Sequence, residues 1–135
     1  MEQKYDYKKL KKVLYSGVVS DILDQLGYRN QTLKGGIHGL TDDTVILGPA
    51  FTSIGTQVYS MPEDPLTAQC KVVDQLQPDE IYVLATRGEY NCAVFGEIFA
   101  TGIEQRKGAG VLLDGMARDI KALKEMDFPL FYRGT

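Results

Sequence analysis

Apolar residues recur along this 135-residue chain with two different periods, and the switching between them predicts the fold. Over residues 7–14 the spacing is helical, with Leu10, Val13 and Leu14 on one face and Lys8, Lys9, Lys11 and Lys12 on the solvated side. A second helix is expected to carry Ile22, Leu23 and Leu26, with Ser20 as its N-cap and Gly27 as its stop. Lys34, Gly35, Gly36 and Gly39 suit loops, and His38 among them is expected to be a loop residue rather than a ligand. From 44 to 59 β-branched and aromatic residues dominate, interrupted at Gly48-Pro49 and Gly55, which predicts two strands or one with a bulge. A helix over 65–76 and a strand over 80–85 follow, and the order then repeats: helix 96–103, strand 111–113, helix 118–126, strand 129–132. Strands alternating with helices imply an α/β fold with a parallel or mixed sheet.

Composition adds bounds. Apolar residues make up 44% and charged residues 24%, as in an ordinary globular domain, and one domain over 1–135 is the expectation. The net charge of −3 and an isoelectric point near 5.1 argue against direct nucleic-acid binding. The first thirty residues hold no apolar leader with a small-residue cleavage site, and no 18-residue apolar run occurs, so a cytoplasmic protein away from membranes is expected. Cys70 and Cys92 form no Cys-x-x-Cys pair and are expected to be reduced and packed.

In sheets of this kind, ligands bind beyond the carboxyl ends of strands. That is where the "DGMARD" segment falls, ending in Arg118 and Asp119. The start of the 96–103 helix, Gly96-Glu97-Ile98-Phe99, offers backbone N–H groups that suit an anion. Together the two loops resemble a site for a small carboxylate. Singly, each has a plainer reading: Glu97 answers the helix dipole, and Arg118 and Asp119 begin a helix. Other chemistries lack their motifs. Gly108 and Gly110 precede a strand, whereas phosphate-binding glycines follow one, so neither a dinucleotide nor an S-adenosylmethionine loop is present. There is no Gly-x-Ser-x-Gly elbow or Cys/His nucleophile pair, and Lys121 and Lys124 belong to an exposed helix face.

Three separated stretches carry a resemblance: "VSDILDQLG", "FGEIFATGIEQRKGAGVLLDGMARDI" and the closing "FPLFYRGT". In this order they resemble the RraA-like family, which comprises 4-hydroxy-4-methyl-2-oxoglutarate aldolases that often also decarboxylate oxaloacetate, and regulators of ribonuclease E activity. The aldolase pattern of an acidic residue, twenty residues and Arg-Asp is matched by Glu97, residues 98–117 and Arg118-Asp119. The resemblance implies a compact three-layer β/β/α domain of the swivelling type, with a mixed sheet, assembled as a homotrimer or hexamer. It implies that Asp119 holds Mg²⁺ or Mn²⁺ partly through water, and that the amides of Gly96, Glu97, Ile98 and Phe99 bind the carboxylate of a small 2-oxo acid. Arg118 would then bond the keto oxygen, and Glu97 would hold a water or relay a proton. Relatives are expected to continue past the closing motif with acidic groups for a neighbouring subunit's metal, so this is expected to be either a short member or a fragment. The alternative implied is a non-catalytic regulator that binds a ribonuclease or another protein.

Overall fold

The computed structural model describes residues 5–135, which fall into two compact units divided after Gly36. In the first, α1 (Tyr7–Leu10) is a single turn capped by Asp6, whose Oδ1 accepts from Lys9 N at 3.0 Å. The predicted helix over 7–14 thus shrinks to four residues followed by turns, and Val13 is exposed. The second helix, α2 (Ser16–Gln25), starts four residues before the predicted cap, so Ser20 lies inside it. Its N-cap, Tyr15, makes no side-chain cap bond, which is why a search for a capping side chain picked the wrong residue. Its end is as expected. Gly27 has φ +84°, its N–H bonds Asp24 O at 3.1 Å, and Tyr28 N bonds Leu23 O at 2.8 Å, the paired pattern of a Schellman stop. Neither helix buries a residue.

The second unit contains β1 (His38–Gly39), β2 (Ala50–Ile54), α3 (Thr67–Val73), β3 (Ile81–Ala85), β4 (Ala93–Phe95), α4 (Glu97–Gln105), β5 (Gly110–Asp114), β6 (Met116–Ala117), α5 (Ile120–Glu125) and β7 (Leu130–Tyr132). Five strands form one mixed sheet in the order β1-β7-β5-β3-β2, parallel except for β1, which runs antiparallel to β7. β4 and β6 make a separate parallel pair. The α/β expectation with a mixed sheet holds.

Alternation along the parallel strands builds the core. Tyr82 and Leu84 from β3, Val111 and Leu113 from β5, and Leu130 and Tyr132 from β7 are all buried. They cluster with Phe99, Ala100 and Ile103 of α4 and Leu123 of α5. Among the described residues, no helix is long and apolar enough to cross a membrane.

Several local expectations are corrected. The 44–59 stretch yields only β2, because the chain before Gly48-Pro49 and beyond Gly55 lacks strand partners. His38 is not in a loop: it pairs with Tyr132 across β1 and β7, the two rings 4.6 Å apart. Cys70 is half-buried, but Cys92 is exposed rather than packed, and both are free thiols. The last helix begins at Ile120 rather than residue 118, because Asp119 adopts a left-handed backbone with φ 58°.

Candidate functional site

The site is assembled where the short β4/β6 pair meets the start of α4. Gly96, the residue before α4, has no side chain with which to cap the helix. The first intrahelical bond is Ala100 N to Gly96 O at 3.1 Å, so the N–H groups of Glu97, Ile98 and Phe99 have no acceptor within the helix. Asp119 supplies one from 22 positions away, its Oδ2 accepting from Glu97 N at 3.2 Å. Although Asp119 is the residue before α5, its side chain makes no cap bond to that helix. An aspartate tolerates the left-handed backbone found there better than most residues.

Arg118 is held by its main chain, Arg118 N donating to Phe95 O at 2.9 Å. Its Nε lies 3.5 Å from Asp119 Oδ2, with the two side chains 64% and 38% exposed. A pair this open stabilises a fold by only ~0–1 kcal/mol, so its placement says more about a ligand than about stability.

Both residues line a cavity of about 160 Å³. Leu66 and Gln69 come from the α3 side, residues 93–95 from β4, and Gly96, Ile98 and Phe99 from the start of α4. Gln69 Nε2 donates to Val94 O at 3.1 Å, tying α3 to β4. Glu97 contributes its main-chain N–H to the Asp119 contact, while the cavity lining passes from Gly96 to Ile98 without it. The structure thus brings Gly96, Ile98, Phe99, Arg118 and Asp119 to one cavity, with Glu97 at its edge. It also shows that one of the amides expected for the substrate, that of Glu97, is engaged by Asp119.

The segment leading to Arg118 is fixed from several sides. Thr86, buried, donates to Asp114 O through both its amide (3.1 Å) and its Oγ1 (2.9 Å). Arg133 N reaches Gly115 O at 3.1 Å, and Ala117 N reaches Gly134 O at 2.8 Å. The Asp114 carboxylate accepts from Arg133 Nε and from Tyr90 Oη, the latter at 3.0 Å. The guanidinium also lies 5.4 Å from the centre of the Tyr90 ring. The bond from Arg133, helped by that from Tyr90, holds the Asp114 carboxyl below the usual carboxylate range against the opposing effect of partial burial.

Sequence reading did not single out Leu66, Gln69, Thr86, Tyr90 or Arg133. No motif marks Leu66 or Gln69, and only the fold carries them to the cavity.

Among the described residues, no cluster of three or more His, Cys, Asp or Glu is present to cage a metal. The donor set instead suits a cation that keeps most of its water. Mg²⁺ is commonly held by one or two carboxylates. Asp119 is one, and the contacts its carboxylate makes with Glu97 N and Arg118 Nε both fall on Oδ2, leaving Oδ1 for such an ion.

The RraA-like family profile, described as Aldolase/RraA, matches residues 17–135. The chain belongs to this family. A protein of Halalkalibacterium halodurans, provisionally named 4-hydroxy-4-methyl-2-oxoglutarate aldolase, is 36% identical over 118 residues, covering 87% of this chain and 51% of its own length. The solved structure of Streptomyces coelicolor RraAS2, an unusual member of the RNase ES inhibitor RraA protein family, superposes with a TM-score of 0.78 at 25% identity, covering 96% of this chain and 63% of that one. A crystal structure described among novel cellulases from microbes of the gut ecosystem gives a TM-score of 0.83 at 23% identity, covering 99% of this chain and 61% of that one, and speaks for the fold alone. The chain thus spans about half the length of the curated aldolase relative and about three fifths of the two solved structures. The names of these relatives span a provisional aldolase and a family of RNase ES inhibitors.

Proposed function

We propose that this RraA-like chain is a divalent-metal-dependent lyase that cleaves small 2-oxo acids, 4-hydroxy-4-methyl-2-oxoglutarate and oxaloacetate among them, to pyruvate. The observation that carries this reading is the convergence of Arg118, Asp119 and the open start of α4 on one cavity. The similarity to the aldolase relative supports it.

The residues divide the work by charge. The N–H groups of Ile98 and Phe99, at the positive end of α4, receive the substrate carboxylate. Arg118 takes the keto oxygen. In aldol cleavage the C3–C4 bond breaks, its electron pair moves into the enolate of pyruvate, and the C4 hydroxyl gives up its proton as C4 becomes a carbonyl. A guanidinium already positioned at the oxygen where negative charge develops lowers the barrier without rearrangement. Glu97, whose main-chain N–H bonds Asp119 at the edge of the cavity, is assigned the water that accepts the hydroxyl proton. Asp119 would hold Mg²⁺ or Mn²⁺, which when bound would supply further stabilisation of charge at the keto acid. Decarboxylation of oxaloacetate passes through the same enolate and needs no base for a hydroxyl. The proposed working form is a cytoplasmic RraA-like domain assembled as a homotrimer or hexamer.

Pyruvate release from the two acids, measured with Mg²⁺ and again with EDTA, tests the reading. Release that depends on metal and disappears in Arg118→Ala is expected. Turnover unchanged in that variant overturns the assignment. The similarity to RraAS2 favours a second reading, a regulator that binds a ribonuclease. It predicts a complex, recovered from the protein's own cell extract, that survives Asp119→Ala.

A further inference from the structure

The two halves of the site are held in different ways. The start of α4 is anchored in the core, where Phe95, Phe99 and Ala100 are buried and the Phe95 ring lies 6.3 Å from that of Phe99 and 5.9 Å from that of Phe128. Arg118 instead follows β6, two residues long, whose pairing with β4 is interrupted by a register shift between Ala93 and Phe95. Arg133 grips this segment at its other end. Its main-chain N–H bonds Gly115 O, and its guanidinium bonds the Asp114 carboxylate, which also accepts from Tyr90 Oη at 3.0 Å. Tyr90 lies between β3 and β4, on the stretch that leads to Gly96. The Asp114 carboxylate thus joins three parts of the chain: the approach to α4, the approach to Arg118 and the exit from β7. None of these three side chains belongs to the apolar core.

We infer that Tyr90, Asp114 and Arg133 are positioning residues for Arg118, a latch that fixes where its guanidinium stands relative to the start of α4. This step rests on the lyase reading, in which the α4 amides hold the substrate carboxylate and Arg118 stabilises the keto oxygen as charge develops on it. A guanidinium lowers that barrier most when it needs no rearrangement, and a displacement of about 1 Å can cost about 10²-fold in rate. Only Gly115, Met116 and Ala117 separate Asp114 from Arg118. With the latch open, the turn at Asp114 relaxes and Arg118 moves with it, while the α4 amides stay with the core. The expected signature is a fall in kcat at nearly constant KM, the mark of an interaction made in the transition state.

The test is a double-mutant cycle on cleavage of 4-hydroxy-4-methyl-2-oxoglutarate with Mg²⁺. Tyr90→Phe removes one hydrogen bond and keeps the ring beside the Arg133 guanidinium, whereas Arg133→Gln removes the charge. kcat is expected to fall about fivefold in the first and about 30-fold in the second, with KM within about twofold of the parent. In an Arg118→Ala background the same substitutions are expected to change kcat by less than about twofold, because the residue they act through is gone. Effects that multiply with that of Arg118→Ala, as a general loosening of the fold would give, overturn the inference, and so does a normal kcat in both variants. Either result leaves the lyase reading standing. Tyr90→Phe alone decides the matter if Arg133→Gln does not fold. Oxalate, a planar dianion shaped like the enolate of pyruvate, gives a readout without turnover, by calorimetry on the Mg²⁺-loaded protein. If the parent releases no pyruvate, the lyase reading falls. Oxalate binding that weakens about fivefold or more in Tyr90→Phe then upholds the latch, and oxalate binding that is unchanged or absent overturns it as well.

Discussion

The carboxylate of Asp119 fills the space that a side chain on Gly96 would need. A Cβ built at that position would run into Asp119 Oδ2 and lie 3.0 Å from Arg118 Cγ. Gly96 has φ −165°, an extended backbone open to any residue, so a side chain here is opposed by contact with Asp119 and Arg118 and not by conformation.

Gly96→Ala is therefore expected to displace Asp119 and Arg118 together. Pyruvate release should fall by more than tenfold, with a stability loss of no more than about 1 kcal/mol because both displaced side chains are partly exposed. Steady-state kinetics alongside urea denaturation measures both, and full activity would show that the Asp119 position is immaterial.

Arg118 is expected to matter for rate far more than for folding. Its side chain is largely exposed, so Arg118→Ala should leave the melting temperature nearly unchanged while lowering kcat by about 10²–10³-fold. Arg118→Lys keeps the charge but not the planar fork, and should fall between the two. A large drop in melting temperature with normal kcat would reverse these roles.

Asp114 and Arg133 predict a particular acid limb of stability. Because Arg133 lowers the folded-state pKa of Asp114, the pair's contribution is complete above the unfolded aspartate value of about 3.9 and is lost as pH falls through the lower folded value. Asp114→Asn should melt below the parent by a constant margin from neutral pH down to about pH 4.5, and the margin should close below about pH 4. Thermal melts across that range check it; a margin that widens in acid contradicts the pairing.

Lys107 offers a change in the opposite direction. It sits just past α4 with φ 60°, where its N–H bonds Glu104 O at 2.9 Å and that of Gly108 bonds Ile103 O at 2.9 Å. Glycine takes this conformation freely, so Lys107→Gly should stabilise the protein by about 0.5–1 kcal/mol. Chemical denaturation showing no gain would place the cost of this turn elsewhere.

The parallel sheet and its helices were readable because the core strands are continuous apolar runs bounded by glycine, proline and charge. The "VLLD" run became β5, and "IYVLA" became β3. What escaped were elements too short to have a period. Ala93–Phe95 and Met116–Ala117 span three and two residues, and neither alternation nor propensity can mark so brief a strand. Those two strands are what bring Phe95 beside Arg118. The spacing between Glu97 and Asp119 was visible in the sequence, but its physical meaning was not. In the structure it joins a helix start to a distant carboxylate through the main-chain amide of Glu97.

The strand order has a kinetic side. Ala50 pairs with Ile81 and Ile81 with Gly110, partners 31 and 29 positions apart, while His38 pairs with Tyr132 across 94. Each ladder of this sheet must close a long loop before any of its hydrogen bonds repays the lost chain entropy. Folding is thus bound to late, non-local events, and a nascent chain cannot pair β1 and β5 with β7 until β7 has left the ribosome.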